Sequence, residues 1–285
     1  RSNFARIITD LAQAAEQPID ESLALVVTGR APWRTEFSTR SASVSMRAIP
    51  ITANATRTGA FILLRDVSEL RRREQELLTK DATIREIHHR VKNNLQTVAA
   101  LLRLQARRVP EPTAKNALAE AVRRVGTIAL VHETLSQGFD EMVDFDEIAV
   151  RGLRAVVEVA TREHPVSHTL TGSFGRMRAE DATAMAMIIS ELVQNAAEHG
   201  LADRGGTIDL AAHRATGADG AEELTVSVTD DGVGLPPGFR PVLAGLGTRI
   251  VTSLVQDLQG RIRWENSSPH GTRVVFVARL RPLER

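Results

Sequence analysis

The longest regular pattern of apolar and polar positions runs from Asp66 to Arg108. Apolar residues recur there every seven positions, and a companion series joins them in the second half. The two series are Leu70, Leu77, Ile84, Val91 and Val98, and then Leu95 and Leu102. A sustained seven-residue repeat is typical of a coiled coil. We therefore predict one continuous helix, on the order of 65 Å long at about 1.5 Å per residue, which ends before Pro110 and Pro112.

A second apolar stripe with the same spacing lies between Thr113 and Ser136, and Gly138 follows it as a predicted C-terminal cap. The members of this stripe are Leu118 and Val125, and Ala121, Ile128 and Leu135. Two antiparallel helices joined by a short proline-containing loop cannot bury both stripes alone. The pattern therefore predicts a homodimer, in which the coiled coil leads into a four-helix bundle made of two helices from each chain.

Mixed patterns flank the two helices. Residues 1–66 combine a short amphipathic helix, from Phe4 to Leu11, with strand-like runs at 33–37, 44–51 and 60–64, which predicts a small α+β module. Residues 138–285 alternate helical and strand patterns, which predicts an α/β domain. Its predicted helices cover 148–163, 179–199 and 248–258, and its predicted strands lie near 169 and at 207–212, 224–229, 261–265 and 272–280. The predicted domains are thus 1–66, 67–137 and 138–285.

Composition narrows the classes of function. A chain of 285 residues is long for a single core, so two or three domains are expected. Lys plus Arg number 36 against 35 for Asp plus Glu, and this balance predicts no direct nucleic-acid partner and no membrane partner. The absence of cysteine excludes disulfides, thiolate metal sites and cysteine nucleophiles. No apolar run approaches the roughly 20 residues that span a bilayer, so a cytoplasmic protein is expected, and the initial Arg1 suggests a fragment of a longer chain.

The most informative motif is Glu86-Ile-His-His-Arg-Val-Lys-Asn-Asn-Leu-Gln, within the first helix. Ile84 and Val91 take position d of the heptad. His88 then falls at position a, facing the seam, and His89 at position b, facing solvent. An imidazole is largely neutral at pH 7 because its pKa is near 6.5, so its nitrogen can attack phosphorus without a strong base. The alternative is a packed histidine beside a surface histidine, neither with a chemical role.

A helix of the C-terminal domain carries Glu191-Leu-Val-Gln-Asn195. Glu191 and Asn195 are four residues apart, so their side chains share a face of the helix. An amide oxygen at Asn195 can coordinate Mg²⁺, which prefers oxygen ligands and keeps several waters while it bridges phosphates. The alternative is that the pair is only the solvated side of the helix.

Two glycine-containing motifs follow. Asp230-Asp-Gly232-Val-Gly234 ends an alternating strand, and a carboxylate at Asp230 can accept a hydrogen bond from the amino group of adenine, whereas guanine presents an acceptor there. Gly245-Leu246-Gly247-Thr248 opens the last helix, where free backbone N–H groups attract phosphate. Either motif alone could be a simple turn.

In this order the motifs resemble the nucleotide-binding boxes of histidine kinases. Glu-x-x-x-Asn is similar to the N box, Asp-x-Gly-x-Gly to the G1 box, Gly-x-Gly to the G2 box, and His-Gly271-Thr272 to a remnant of the G3 box. The resemblance implies the GHKL, or Bergerat, α/β sandwich shared with gyrase, Hsp90 and MutL. The first-helix motif, with Ala129-Leu-Val-His132-Glu-Thr-Leu further on, resembles the HisKA_2 dimerization family, as in actinobacterial soluble sensor kinases. Residues 1–66 resemble the second half of a PAS domain.

The resemblance implies roles for individual residues. His89 would be the phosphoacceptor, Asn195 the Mg²⁺ ligand, Asp230 the adenine contact, and Glu191 a basic or water-positioning residue. Asn93, one turn beyond His89, is in the position that related kinases use for dephosphorylation of the partner. The glycines named above, together with Leu246, Thr248 and Thr272, would shape the ATP pocket.

Three positions depart from the family pattern. Arg90 follows the phosphoacceptor where the commonest kinases have an acidic residue, so we take Glu86, one turn earlier, as the candidate general base. Glu198 stands where many relatives have Lys, so one expected phosphate contact is missing and His199 is the candidate substitute. His132 falls on the apolar stripe of the second helix and is interpreted as a core histidine.

The predicted function is that of a sensor histidine kinase. It would phosphorylate His89 from Mg-ATP and pass the phosphate to an aspartate in the receiver domain of a response regulator. The resemblance to the actinobacterial sensors narrows the expected partner to receiver domains fused to ANTAR modules. Two alternatives stay open: a catalytically silent dimeric scaffold that binds nucleotide, and a GHKL ATPase or serine kinase.

Overall fold

The computed structural model describes residues 33–38, 42–54, 56–136, 142–160, 165–201, 205–216 and 222–282. They form two compact units, one ending at Ala82 and the other beginning at Thr83. The amphipathic helix predicted from Phe4 to Leu11 and the cap predicted at Gly138 lie outside the described residues. Among the helices that are described, none combines the length and the apolar character needed to cross a bilayer.

The first unit contains an antiparallel sheet in the order β1-β2-β3, formed by β1 (Trp33–Ser38), β2 (Ser43–Ala53) and β3 (Thr56–Asp66). Met46 and Ala48 of β2 are buried. The sheet is joined directly to the first helix, because the Asp66 carboxylate accepts a hydrogen bond from the backbone N–H of Ser68 at 2.9 Å. The Ser68 hydroxyl in turn accepts from the backbone N–H of Ser43 at 2.8 Å. The helix therefore begins two residues after the predicted position, where Asp66 caps it.

The two long helices are α1 (Ser68–Arg108) and α2 (Pro112–Leu135). The predicted end of α1 at Arg108 is confirmed. Glu111 caps α2: its carboxylate accepts from the backbone N–H groups of Thr113 at 3.0 Å and Ala114 at 2.5 Å. Apolar side chains along α1 are exposed in the single chain, among them Leu70, Leu77, Ile87, Val98, Leu101 and Leu104. An exposed apolar stripe of this kind is unstable in water without a cover.

The rest of the second unit is an α/β sandwich. Its main sheet is formed by β5 (Val166–Gly172), β7 (Gly206–Thr216), β8 (Glu222–Asp230), β9 (Arg261–Asn266) and β10 (Thr272–Arg279). These strands lie in the order β5-β7-β8-β10-β9, with β5 and β7 parallel and the other neighbours antiparallel. A two-stranded sheet pairs β4 (Met142–Asp144) with β6 (Arg176–Arg178). The helices are α3 (Phe145–Ala160), α4 (Ala179–Asn195) and α5 (Leu246–Asp257), and one π turn, Ala196–Gly200, continues α4.

One apolar core holds this unit together. It joins the apolar stripe of α4 to alternate residues of the central strands, and the fully buried members include Met185, Ile188, Leu210, Val226 and Phe276. Val131 and Leu135 of α2 belong to the same core. The C-terminal end of the helical hairpin is therefore packed against the sandwich, and each core side chain contributes roughly 1.5–3 kcal/mol of burial.

Candidate functional site

The two adjacent histidines of α1 lie in different environments. The side chain of His89 is exposed, whereas that of His88 is half-buried and approaches α2. The Nδ1 atoms of His88 and His132 are 3.0 Å apart, so one ring donates a hydrogen bond and the other accepts it. The sequence predicts His132 to be a core histidine, but its side chain is only half-buried and forms one half of a histidine pair. This pair holds α1 against α2 beside the exposed imidazole.

The histidine pair predicts a pH dependence of stability. Burial, and then the charge of His88, lower the pKa of His132. The unfolded chain therefore binds this proton more readily than the folded chain, so the free energy of unfolding is full above about pH 6.5 and falls as the pH drops towards the lowered pKa. We expect the thermal midpoint to fall between about pH 7.5 and 5.5 and to fall less in His132→Gln. Equal slopes in melts of the two proteins followed by circular dichroism would contradict this assignment.

Glu86, the candidate general base, is held by an ion pair within its own helix. Arg90 Nε donates to Glu86 Oε1 at 2.7 Å, and both side chains are exposed. An exposed pair four residues apart contributes only about 0.3–0.5 kcal/mol, so Glu86 can leave it at little cost. The ion pair with Arg90 therefore sets the position of Glu86 in the structure and does not exclude Glu86 as the general base. The side chain of Asn93, one turn beyond His89, is exposed as well.

A cavity of about 450 Å³ lies in the second unit, where the C-terminal end of α4, the end of β8 and the N-terminal end of α5 meet. Its lining brings together most of the residues that the sequence places in a nucleotide pocket. They are Glu191, Asn195, His199, Asp230, Gly234, Gly245, Leu246, Gly247, Thr248 and Thr272. Gly232 is not one of the lining residues, and a Cβ there would come within 2.1 Å of the Gly200 carbonyl oxygen. Its role is to let two segments of backbone approach each other.

Asp230 forms the buried end of the cavity. Its side chain is 5% exposed, and Oδ1 accepts from the backbone N–H of Gly232 at 2.9 Å and of Thr272 at 3.1 Å. Burial raises the pKa of this carboxyl, and the two backbone donors offset part of that rise. A Cβ on Gly200 would come within 2.8 Å of the carboxylate. The site therefore holds one carboxylate in a fixed orientation, as an acceptor that selects among purines requires.

Asp230→Asn separates the two roles of this carboxylate. The amide oxygen of asparagine can keep both backbone hydrogen bonds. Its NH₂ group, however, replaces the other carboxylate oxygen and cannot accept a hydrogen bond from the amino group of adenine. A raised native pKa means that ionised Asp230 destabilises the fold. The resulting loss in the free energy of unfolding is absent below the pKa that Asp230 has in the unfolded chain, and it is complete above the pKa that Asp230 has in the native fold. We expect the variant to be at least as stable as wild type at pH 7 and to lose about tenfold or more in affinity for adenine nucleotides, measured by thermal melts and by calorimetric titration. Unchanged adenine affinity would exclude the role.

Glu191 is ion-paired to the helical hairpin. Arg124 of α2 donates from Nε to Glu191 Oε1 at 2.8 Å and from Nη2 to Oε2 at 3.1 Å, and both side chains are only 15% exposed. The hydrogen bond to Glu191 is the main reason that the pKa of Arg124 is raised. Arg124 also lines the cavity. The sequence analysis did not identify Arg124 as a site residue. The signal that was available is a pair of adjacent arginines, Arg123 and Arg124, in a helix whose apolar stripe is predicted to pack in a bundle.

Asn195 is the last residue of α4, and its half-buried side chain lines the cavity between Glu191 and His199. Within the described ranges, no group of three or more His, Cys, Asp or Glu side chains could hold a metal ion. A single amide oxygen fits Mg²⁺, because this ion takes its remaining ligands from phosphates and water. The side chain of Asn195 is therefore compatible with Mg²⁺ carried in by a nucleotide.

An apolar wall, which sequence reasoning missed, faces this polar corner. Leu235, Phe239 and Trp264 line the cavity, and the rings of Phe239 and Trp264 have centroids 6.5 Å apart. Trp264 comes from β9, and Phe239 comes from the segment between β8 and α5. Aromatic and aliphatic walls of this kind bury planar ligands such as a nucleobase.

Two family models match the chain. The first, described as histidine kinase (HisKA_2), matches residues 86–159, and the second, described as histidine kinase-, DNA gyrase B- and HSP90-like ATPase (HATPase_c), matches residues 180–282. The chain is 44% identical over 275 residues to the sensor histidine kinase PdtaS of Mycobacterium tuberculosis, a match that covers 95% of this chain and 54% of that protein. It is 45% identical over 269 residues to PdtaS of Mycolicibacterium smegmatis, with 93% and 52% covered.

The chain spans about half the length of these curated relatives. Among solved structures, it is similar to the histidine kinase domain of a blue-light-activated histidine kinase, EL346, from Erythrobacter litoralis. The TM-score is 0.52 and the sequence identity 25%, with 72% of this chain and 94% of that chain covered.

Proposed function

The chain belongs to the histidine kinases that pair a HisKA_2 dimerization segment with a HATPase_c nucleotide-binding segment, and from this premise we propose that it transfers the γ-phosphate of Mg-ATP to its own His89. The exposed His89 imidazole carries the proposal, because it lies on the same compact unit as the cavity that contains Asp230 and Asn195. His88 is the less suitable nucleophile, since its ring is half-buried and hydrogen-bonded to His132.

The cavity residues divide the nucleotide among them. Asp230 accepts from the adenine amino group, Phe239 and Trp264 cover the base, and the free N–H groups at the start of α5, around Gly247, receive the phosphates. Mg²⁺, when bound through Asn195, neutralises charge on the phosphate oxygens.

The chemical step needs positioning more than acid-base chemistry. A neutral nitrogen of His89 attacks the γ-phosphorus in line, the bond from that phosphorus to the bridging oxygen breaks, and ADP leaves with the bond electrons. The N–H proton on the other nitrogen of the attacking imidazole passes to Glu86 or to water. Phosphohistidine then gives its phosphoryl group to an aspartate carboxylate on the receiver domain of a response regulator, and we retain receiver domains fused to ANTAR modules as the narrower partner proposal.

The assembly that we propose is a homodimer through α1 and α2. The exposed apolar residues of α1, such as Val98 and Leu101, support it because a second copy would cover them in a coiled coil and four-helix bundle. The three-stranded sheet formed by β1, β2 and β3 is consistent with part of a PAS sensor module. We propose this module as the first of three domains, with boundaries near residues 66 and 137. The cytoplasmic location stays a prediction.

The proposed function is tested by labelling the purified chain with γ-³²P ATP and Mg²⁺. We expect label that is lost in acid and kept in base, as for a phosphohistidine, and no label from α-³²P ATP. Absence of label together with retained nucleotide binding would identify a silent scaffold. An acid-stable label would indicate a hydroxyl acceptor and favour the serine-kinase alternative.

A further inference from the structure

Two adjacent arginines of α2 are paired with three glutamates at the edge of the cavity. Arg124 makes the two-atom contact with Glu191 described above and also approaches Glu120 at 3.1 Å. Arg123 lies 3.6 Å from Glu198, on the π turn that follows α4. All five side chains line the same cavity. The hairpin therefore supplies positive charge to a wall that the nucleotide-binding domain leaves acidic.

This wall lies at the end of the cavity where phosphates would be received. A Cβ placed on Gly247, in the first turn of α5, would lie 2.5 Å from Glu191 Oε2 and 3.8 Å from Arg124 Nη2. The first turn of a helix attracts anions through its free N–H groups and its dipole. The Arg124 guanidinium is thus within a few ångströms of the start of α5, where a bound triphosphate and the Glu191 carboxylate would occupy the same space.

Among the described residues, no Lys or Arg of the nucleotide-binding domain lines this cavity, and His199 is the basic side chain that the domain itself contributes to the wall. Glu198 stands where related kinases often have Lys, and its neighbour Gln194 donates to it, so this turn adds negative charge. Asn195 is neutral. A guanidinium is the side chain best suited to phosphate, since its planar donors can bind two oxygens at once.

We propose that Arg124, contributed by the hairpin, is a nucleotide-binding residue that donates to the terminal phosphates of ATP when they displace Glu191 from it. The proposal rests on the proposed function in taking the cavity as the ATP site. It assigns to the dimerization hairpin a part of that site.

The position of Arg124 along α2 decides which step it serves. The contact between His88 and His132 sets these residues at the same height of the hairpin. Arg124 is eight residues before His132, so it lies about 12 Å further along the hairpin axis at about 1.5 Å per residue. Its side chain points towards Glu120, further away still. Phosphates held by Arg124 therefore lie too far from His89 of the same chain for transfer. The same holds for His89 of a second copy, because a parallel bundle places the two His89 residues at the same height along its axis. Arg124 serves nucleotide loading, and transfer requires that the contact be released.

The test compares nucleotide affinity with turnover in Arg124→Gln. By calorimetric titration with Mg-ATP and with AMP, we expect ATP affinity to fall about tenfold or more and AMP affinity to change less than about twofold. The rate of His89 labelling at saturating ATP should stay within about threefold of wild type, so the change appears in KM and not in kcat. Arg124→Lys should recover part of the ATP affinity, which also shows that the site is folded. Lys115→Gln removes one charge from an exposed position of the same helix and should change neither affinity.

Glu191 needs its own control, because removal of Arg124 leaves a bare carboxylate beside the phosphates. The double variant Arg124→Gln/Glu191→Gln should bind ATP more weakly than Glu191→Gln alone. Equal affinities of these two proteins would overturn the proposal, as would ATP affinity in Arg124→Gln within twofold of wild type. If wild type binds ATP but never becomes labelled, the proposed function fails while the affinity comparison still decides the role of Arg124.

Discussion

Replacement of His89 by alanine is expected to reduce autophosphorylation to the background of the assay while nucleotide binding is unchanged. The imidazole is exposed on α1, whereas the cavity that we assign to ATP is lined by residues of α2 and of the sandwich. The substitution therefore removes the nucleophile without touching the pocket. Labelling with γ-³²P ATP and a titration with Mg-ATP measure the two properties on the same preparation.

His88→Ala is the matched control for this experiment. It removes the neighbouring ring and leaves His132 without its partner at 3.0 Å. We expect a loss of about 1–3 kcal/mol in the free energy of unfolding but retained labelling of His89. A variant with Ala at residue 88 that loses its label while folded, or one with Ala at residue 89 that keeps it, would exchange the roles of the two histidines.

The second large effect is expected for Asn195→Ala. We propose its amide oxygen as the protein ligand for Mg²⁺, and loss of a contact to this ion would remove several kcal/mol of stabilisation of the transferring phosphate. We expect kcat/KM for ATP to fall about 100-fold or more, since each 1.4 kcal/mol corresponds to about tenfold in rate. Rates measured over a range of Mg²⁺ concentrations provide the readout.

Asn195→Asp separates the oxygen ligand from the rest of the amide. Aspartate keeps an oxygen at the same place and adds a charge, so we expect half-saturation at a lower Mg²⁺ concentration than in Asn195→Ala and partial recovery of the rate. If alanine and aspartate variants have the same dependence on Mg²⁺, the ion is not held through this residue.

The elements that sequence predicts best are those with a long regular pattern. All of α2 except its first residue, and the end of α1 at Arg108, follow from the seven-residue spacing and the flanking prolines, since both are local properties of the chain. Helix ends were predicted less well. The helix predicted to begin at Ile148 begins at Phe145, where Asp144 accepts from the backbone N–H of Asp146 at 3.1 Å, and an apolar stripe does not reveal such a cap.

The C-terminal end of α4 shows a different limit. The sequence predicts a helix to His199, but the α-helix ends at Asn195 and a π turn runs to Gly200. The widened turn brings Gly200 against Asp230 and Gly232 at the buried end of the cavity, and single π turns are frequent at functional sites. A 3.6-residue periodicity contains no sign of this change, because the geometry is determined by the neighbouring strand.

The cavity residues were predictable because motif spacing places them on the ends of known elements. The pairs His88–His132 and Arg124–Glu191 were not, since they join positions 44 and 67 residues apart and depend on how α2 packs on α1 and on α4. Each side chain alone is ambiguous: a histidine on an apolar stripe and an arginine in a helix have ordinary structural explanations. Only the tertiary contacts show that the hairpin reaches the proposed nucleotide site.

The most direct test of the central claim is to locate the phosphoryl group after the wild-type chain has reacted with Mg-ATP. Tandem mass spectrometry of peptides kept at alkaline pH can distinguish the adjacent histidines and any hydroxyl acceptor. We expect phosphate on His89, with none on His88. Phosphate on a serine, threonine or aspartate, or on His88, would contradict it.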